Sequence, residues 1–234
     1  NCYSTLYGIY SYYAYSTGRS TKLDGNNLHD WPFVGSTPAN SQSSTYAFYT
    51  YQNQGLNNTT NRFSISNNTI KNLSSYYNHY HGYNYYGYYM DIKGNVADNN
   101  DVSSANSSAY HYGWTLYYPL AYKVDNNTIK NCDGSYYWKG VYVYNPQNAS
   151  GVSTSISGNT LENNLSAGYL FQGIQAMYIY NGNTNFLNVN DNIITKNQSY
   201  GYYMVPICIG DPVYYGYPGY GYVNIQRNKI IANK

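Results

Sequence analysis

The sequence predicts an all-β chain, a single right-handed parallel β-helix of about seven rungs covering residues 1–234 as one domain. Three observations predict it. A short motif, apolar-x-x-Asn-x-apolar, recurs seven times. A strand-like run rich in aromatic and β-branched residues recurs between the copies. Helical periodicity is missing throughout, and a period of about 33 residues with short strands fits a solenoid.

The motif copies are centred on Asn26, Asn68, Asn95, Asn127, Asn159, Asn192 and Asn228, spaced 42, 27, 32, 32, 33 and 36 residues apart. Their apolar pairs are Leu23 and Leu28, Ile65 and Ile70, Ile92 and Ala97, Val124 and Ile129, Ile156 and Leu161, Val189 and Ile194, and Ile225 and Ile230. The members of each pair are five positions apart. In a straight strand that odd separation sends them to opposite faces. Both reach one core only if the chain bends between them. The residue before each Asn is Gly25, Asn67, Gly94, Asn126, Gly158, Asp191 or Arg227. All but Arg227 are types that tolerate the left-handed conformation of a tight bend. Each copy therefore reads as strand, bend, strand.

The second landmark is a strand that follows a turn residue: after Gly8, Gly87, Gly113, Gly140, Gly173 and Gly201, with Ala47 filling the slot once. Each repeat thus holds one strand after the glycine and two around the Asn bend. Stacking the repeats sets equivalent Asn side chains ~4.8 Å apart, close enough for an amide ladder. The same stacking lines outward tyrosines into columns.

This signature resembles the right-handed parallel β-helix of the pectin-lyase-like, carbohydrate-binding and sugar-hydrolase superfamily, over about Gly8 to Ile230. The resemblance implies the fold and a secreted protein that handles polysaccharide. Right-handedness also follows from the general preference of parallel crossovers. The richness in Tyr, Asn, Ser and Thr with few charges resembles secreted surface proteins of archaea.

Composition narrows the function. The chain has 37 Tyr and 35 Asn among 234 residues, and only 9% are charged. A net charge of +2 with 42% hydrophobic residues argues against a disordered chain. It also lacks the basic surplus that nucleic acid requires, and no apolar run reaches the ~18–20 residues of a membrane span. Without a leading Met or signal peptide, the chain reads as processed or cut from a longer one. Cys2, Cys132 and Cys208 are an odd number, with no C-x-x-C and no neighbouring His. Neither a disulfide framework, a zinc site nor a cofactor is therefore expected. Repeat phase separates Cys2 from Cys132 and brings Cys208 toward Cys2 of a following copy. N-glycan acceptor sequences occur at Asn57, Asn58, Asn67, Asn72, Asn106, Asn126, Asn148, Asn164 and Asn197, making covalent glycans and an extracellular, cell-surface location the expectation.

A sugar-cleaving enzyme on this fold needs grouped carboxylates. The ten acids read instead as turn or solvated residues: Asp24, Asp125 and Asp191 sit at bends, and Asp98 and Asp101 share a loop. His79, His81 and His111 read as exposed loop residues, with a weak metal site at His79 and His81 as the alternative. The expectation is therefore no catalytic residue and no enzyme. Aromatic loops at Trp31 and Phe33, and at Tyr214, Tyr215, Tyr217, Tyr220 and Tyr222, read as contact surfaces or sugar platforms.

The two ends complete the reading. Asn1 and Cys2 match Asn131 and Cys132 in repeat phase, the chain stops at about the phase where it starts, and no capping helix is visible. A head-to-tail homopolymer fits, as does a piece of a larger β-helix. The expected function is a structural subunit of an extracellular filament or sheath; the alternative is a polysaccharide-binding or polysaccharide-degrading secreted β-helix. Scarce carboxylates predict weak pH dependence and an assembly that survives acid.

Overall fold

The computed structural model describes residues 5–15, 20–31, 44–55, 61–102, 108–147, 152, 154–179, 186–210 and 222–234. Among them are 25 strands and no helix. All pairings between named strands are parallel, and every sequence repeat contributes one strand to each of three sheets, an arrangement compatible with a β-solenoid.

Sheet 1 holds the long strands, in the order Leu6–Tyr12, Thr45–Tyr51, Asn78–Tyr85, Tyr110–Tyr117, Tyr137–Tyr144, Leu170–Met177 and Tyr203–Ile209. Sheet 2 holds the strand before each motif Asn: Lys22–Asp24, Phe63–Ser66, Met90–Lys93, Lys123–Asp125, Thr154–Ser157, Phe186–Asn190 and Tyr222–Gln226. Sheet 3 holds the strand after it: Asn27–Trp31, Thr69–Ser75, Val96–Asp98, Thr128–Lys130, Thr160–Glu162, Ile193–Thr195 and Lys229–Ile231. Through Thr69–Ser75, sheet 3 continues into a short-stranded extension, Asp101–Val102, Asp133–Gly134, Leu165–Ser166 and Gln198–Ser199.

The corner between sheets 2 and 3 is the bend the motif requires. Gly25, Asn67, Gly94, Asn126, Gly158, Asp191 and Arg227 all have φ between 54° and 67°. Arg227 takes the same conformation despite its side chain, and its guanidinium makes two bonds of 2.7 Å to Asp191, the bend residue of the preceding repeat. The bend turns both apolar residues inward, and from Ile65 to Ile194 the motif pairs are at most 1% exposed. They meet Phe48, Trp114, Trp138 and Phe171 of sheet 1 in one core.

Two further corners carry left-handed residues. Between sheet 3 and its extension they are Asp30, Asn72, Asn99, Asn131, Asn163, Lys196 and Ala232 (φ 50–57°). After sheet 1 they include Tyr13, Tyr86, Tyr118 and Tyr178 (φ 52–54°). Bulky residues rarely take this conformation, so the third corner has no compositional signal.

The glycine landmark holds in part. Gly113 and Gly140 lie inside sheet 1, where the backbones of neighbouring repeats run so close that a Cβ at Gly140 would lie 2.6 Å from the carbonyl oxygen of Gly173. Gly87 is out of phase, lying between sheets 1 and 2, whereas Gly201 is followed by the sheet 1 strand Tyr203–Ile209, as expected. In the third repeat the sheet 1 strand is Asn78–Tyr85, where Gly82 pairs with Phe48 and Trp114.

Candidate functional site

The motif asparagines join into one directional ladder. From Asn26 through Asn68, Asn95, Asn127, Asn159 and Asn192 to Asn228, each Nδ2 donates to the Oδ1 of its successor at 2.8–3.0 Å. The backbone N–H of the same residue donates to that oxygen too, at 2.8–3.0 Å. From Asn68 onward, Nδ2 also donates back to the carbonyl of Leu23, Ile65, Ile92, Val124, Ile156 or Val189 at 2.7–2.9 Å. Each internal amide thus satisfies groups at a corner where the sheet ladder is interrupted.

A second inward column stands five residues after the first. Asn100 Oδ1 accepts from the Leu73 N–H at 2.9 Å, Asn164 Oδ1 accepts from the Cys132 N–H at 3.0 Å, and Asn164, Asn197 and Asn233 continue as a ladder. This column was missed at the level of sequence. Its signal was present as Asn at the fifth position after four of the seven motif asparagines.

The outer face of sheet 1 carries the tyrosines. Tyr7, Tyr46, Tyr80 and Tyr112 stack with centroids 4.6–5.2 Å apart, and Tyr10, Tyr49 and Tyr83 at 5.1–5.3 Å. Burial pushes the hydroxyls upward: Tyr46 and Tyr117 to about 12, with Tyr80 and Tyr83 higher. The first column breaks after Tyr112, where Lys139 and Gln172 take the next register positions. A pocket of about 370 Å³ opens there, bounded among others by Tyr110, Tyr137, Lys139, Tyr142 and Gln172. Lys139 Nζ lies 4.1 Å from the Tyr142 ring centroid and donates to Gln175 Oε1 at 3.1 Å. Gln172 is 1% exposed, and among the described residues neither its amide oxygen nor its nitrogen has a hydrogen-bond partner.

The histidines overturn a sequence expectation. His79, His81 and His111 are strand residues of sheet 1, fully buried, not exposed loop residues. A strand of alternating His and Tyr turns its histidines to the core when its tyrosines face out. One ring nitrogen from each lies within 4.8 Å of the others. Cys132, free and buried, puts Sγ 4.0 Å from His81 Nε2 although 51 residues separate them. Burial holds His79 and His81 well below the usual imidazole range and His111 down to about 3. Unfolding below pH ~6.5 therefore takes up protons, against the weak acid dependence expected from carboxylates alone.

The remaining predicted residues are dispersed. Asn67 and Asn126 are exposed at bends, and Asn72 is half-buried, donating to Asp30 at 2.7 Å. Asn164 and Asn197 are buried, with their amide nitrogens donating inside the second ladder, so a glycan on either is incompatible with this fold. Trp31 lies in a strand and packs against the core, and Tyr222 begins a strand; neither is in a loop. Asn57, Asn58, Asn106, Asn148, Phe33, Tyr214, Tyr215, Tyr217, Tyr220 and Cys2 lie outside the described residues. Asp98 and Asp101 are strand residues either side of a corner, not loop neighbours, and Asp98 contacts Lys130 at 3.4 Å. Asp101 pairs in register with Asp133, and burial raises both carboxyls.

No family model, curated protein or solved structure matches the chain.

Proposed function

We propose that the chain is a structural subunit of an extracellular filament or sheath: a right-handed parallel β-helix of about seven rungs that polymerises head to tail by strand pairing. The observation that carries this reading is the polarity of the asparagine ladder. Every step runs from an Nδ2 donor to the next Oδ1 acceptor, from Asn26 toward Asn228. A stack with that polarity meets another copy donor end to acceptor end, while like ends set matching groups against each other. The outer strands support the same geometry. Among the described residues, Leu6–Tyr12 at one end and Tyr222–Gln226 and Lys229–Ile231 at the other each pair on one side only. Leu6, Tyr7, Ile225, Ile230 and Ile231 are 37–54% exposed. Unpaired parallel edges with apolar side chains recruit strands, and a heterologous contact of this kind does not close.

The test is assembly of the purified chain across a concentration series, followed by sedimentation and electron microscopy. The expected product is a filament with an axial repeat of roughly 34 Å, seven strand spacings. Ile230→Lys should abolish it while leaving the circular dichroism of the fold unchanged. Monodisperse single chains at every concentration would sink the proposal.

The pocket beside Lys139 favours a second reading, polysaccharide binding. Aromatic faces stack on sugar rings, and an unpartnered buried amide such as that of Gln172 matches a sugar hydroxyl. Neutral oligosaccharides that bind the wild-type chain and lose affinity in Gln172→Leu would favour it over a purely structural role.

A further inference from the structure

We propose that His79, His81 and His111, with the thiolate of Cys132, form a structural transition-metal site in the core, of a kind that suits Zn²⁺. The four residues come from two adjacent repeats, the three histidines from sheet 1 and Cys132 from the corner that follows sheet 3, so a bound ion would pin sheet 1 to that corner.

Hydrogen bonding fixes where the lone pairs point. His111 Nδ1 lies 3.1 Å from the carbonyl oxygen of Asp133, which only accepts, so the ring proton sits on Nδ1 and Nε2 carries a lone pair. Such a backbone contact is the usual outer-shell partner of a metal-bound imidazole. Asn100 is oriented by its own partners: Oδ1 accepts from the Leu73 N–H and Nδ2 donates to the Ile70 carbonyl. Its Nδ2 is therefore the group 3.4 Å from His81 Nε2, and where it donates there that nitrogen is an acceptor as well. Yet His81 Nε2 and His111 Nε2 lie 3.3 Å apart. Two lone pairs facing each other in a dry core are repulsive, and a cation between them removes the conflict. His79 adds two ring nitrogens without partners among the described residues, and His81 Nδ1 has none there either. Buried polar atoms in this state call for an explanation.

The two Nε2 atoms stand at the spacing of tetrahedral coordination, and the other ligand atoms stand wider, the three histidine nitrogens within 4.8 Å of one another. Zn–N bonds of about 2.0–2.1 Å and a Zn–S bond of about 2.3 Å put two nitrogens about 3.3 Å apart and nitrogen from sulfur about 3.6 Å apart. The observed separations are 3.3 Å between the two Nε2 atoms and 4.0 Å from His81 Nε2 to Cys132 Sγ. Three imidazoles and one thiolate favour zinc or cobalt over magnesium or calcium, which take oxygen. Binding forms three metal–nitrogen bonds and one metal–sulfur bond and releases the Cys132 thiol proton to solvent. Because the ligands are fully buried, the ion enters as the chain folds.

The test refolds the full chain with Co²⁺, removes free metal by gel filtration, and reads bound metal and the visible spectrum. One cobalt per chain is expected, with the intense bands of tetrahedral Co²⁺ and a thiolate-to-cobalt charge-transfer band. Zn²⁺ should bleach both. Cys132→Ser should keep the metal and lose the charge-transfer band, and His81→Asn should weaken binding ~100-fold or more. His29→Ala, remote from the cluster, should behave as wild type. Failure of wild type to retain metal, a weak six-coordinate spectrum, or a charge-transfer band that survives Cys132→Ser would overturn the assignment. The wild-type and Cys132→Ser spectra decide it even if His81→Asn does not refold.

Discussion

Asn127 donates twice to one atom: its backbone N–H and its Nδ2 both reach Asn159 Oδ1, each at 3.0 Å. Asn159 in turn donates to the Val124 carbonyl at 2.7 Å. Asn159→Ala leaves two buried donors and one buried acceptor unmade, a cost of about 2–5 kcal/mol. Asn26→Ala, at the exposed end of the ladder, should cost no more than about 1 kcal/mol. Urea unfolding of the two variants checks the contrast, and equal losses would mean that the ladder carries no stability of its own.

The tyrosine face sets an alkaline limit. An unfolded tyrosine ionises near 10, whereas burial raises Tyr46 and Tyr117 to about 12 and Tyr122 beyond that. The folded state therefore holds protons that the unfolded state loses. This contribution is fully present below pH 10 and is lost as pH rises through the folded values, at about 1.4 kcal/mol per pH unit for a fully buried group such as Tyr122. The urea midpoint should stay flat from about pH 7 to 10 and fall between 10 and 12. Tyrosinate absorbance should rise together with unfolding. Complete ionisation near pH 10 with the circular dichroism intact would contradict it.

Gly140 lacks room for a methyl group. An added Cβ would meet the Gly173 carbonyl at 2.6 Å and Leu161 Cδ1 at 2.9 Å. Gly140→Ala should destabilise by about 1–3 kcal/mol through overpacking. At Gly25 nothing lies within 4 Å, and the difficulty is φ of +67°. Gly25→Asn should therefore be nearly neutral and Gly25→Val costly, because Asn tolerates that conformation and a β-branched residue does not. Thermal melts of the three variants order these effects, and a neutral Gly140→Ala would show that the strands separate easily.

Arg62 is 7% exposed; its Nε contacts Asp91 Oδ1 at 2.6 Å, and its Nη2 donates to the carbonyls of Met90 and Ala121. Arg62→Met should cost about 3 kcal/mol, because it strands the Asp91 charge and two carbonyls. Adding Asp91→Asn should recover part of that loss and not all, since the carbonyls stay unpaired. Full recovery in a double-variant cycle would assign the whole effect to the ion pair.

What was legible in the sequence was whatever one repeat encodes locally. The bend before each motif Asn follows from two apolar residues five apart and a residue that accepts positive φ; even Arg227 adopts it, its guanidinium bonded to Asp191 at the bend of the preceding repeat. The sheet 1 strands of most repeats were legible from their aromatic runs. Gly87 misled because glycine marks several kinds of turn, and the corner at Tyr86, Tyr118 and Tyr178 gave no signal because bulky residues occupy it.

Only the tertiary structure decided what lies opposite what. Repeats of unequal length hide the register, so the sequence could not show that Cys132 reaches His81, that Asn164 and Asn197 are spent inside a ladder, or that three histidines share the core. The physical reason is that a bend is fixed by a few adjacent residues, whereas the neighbours of a buried side chain are fixed by how far each intervening loop lets the next strand slide before it pairs.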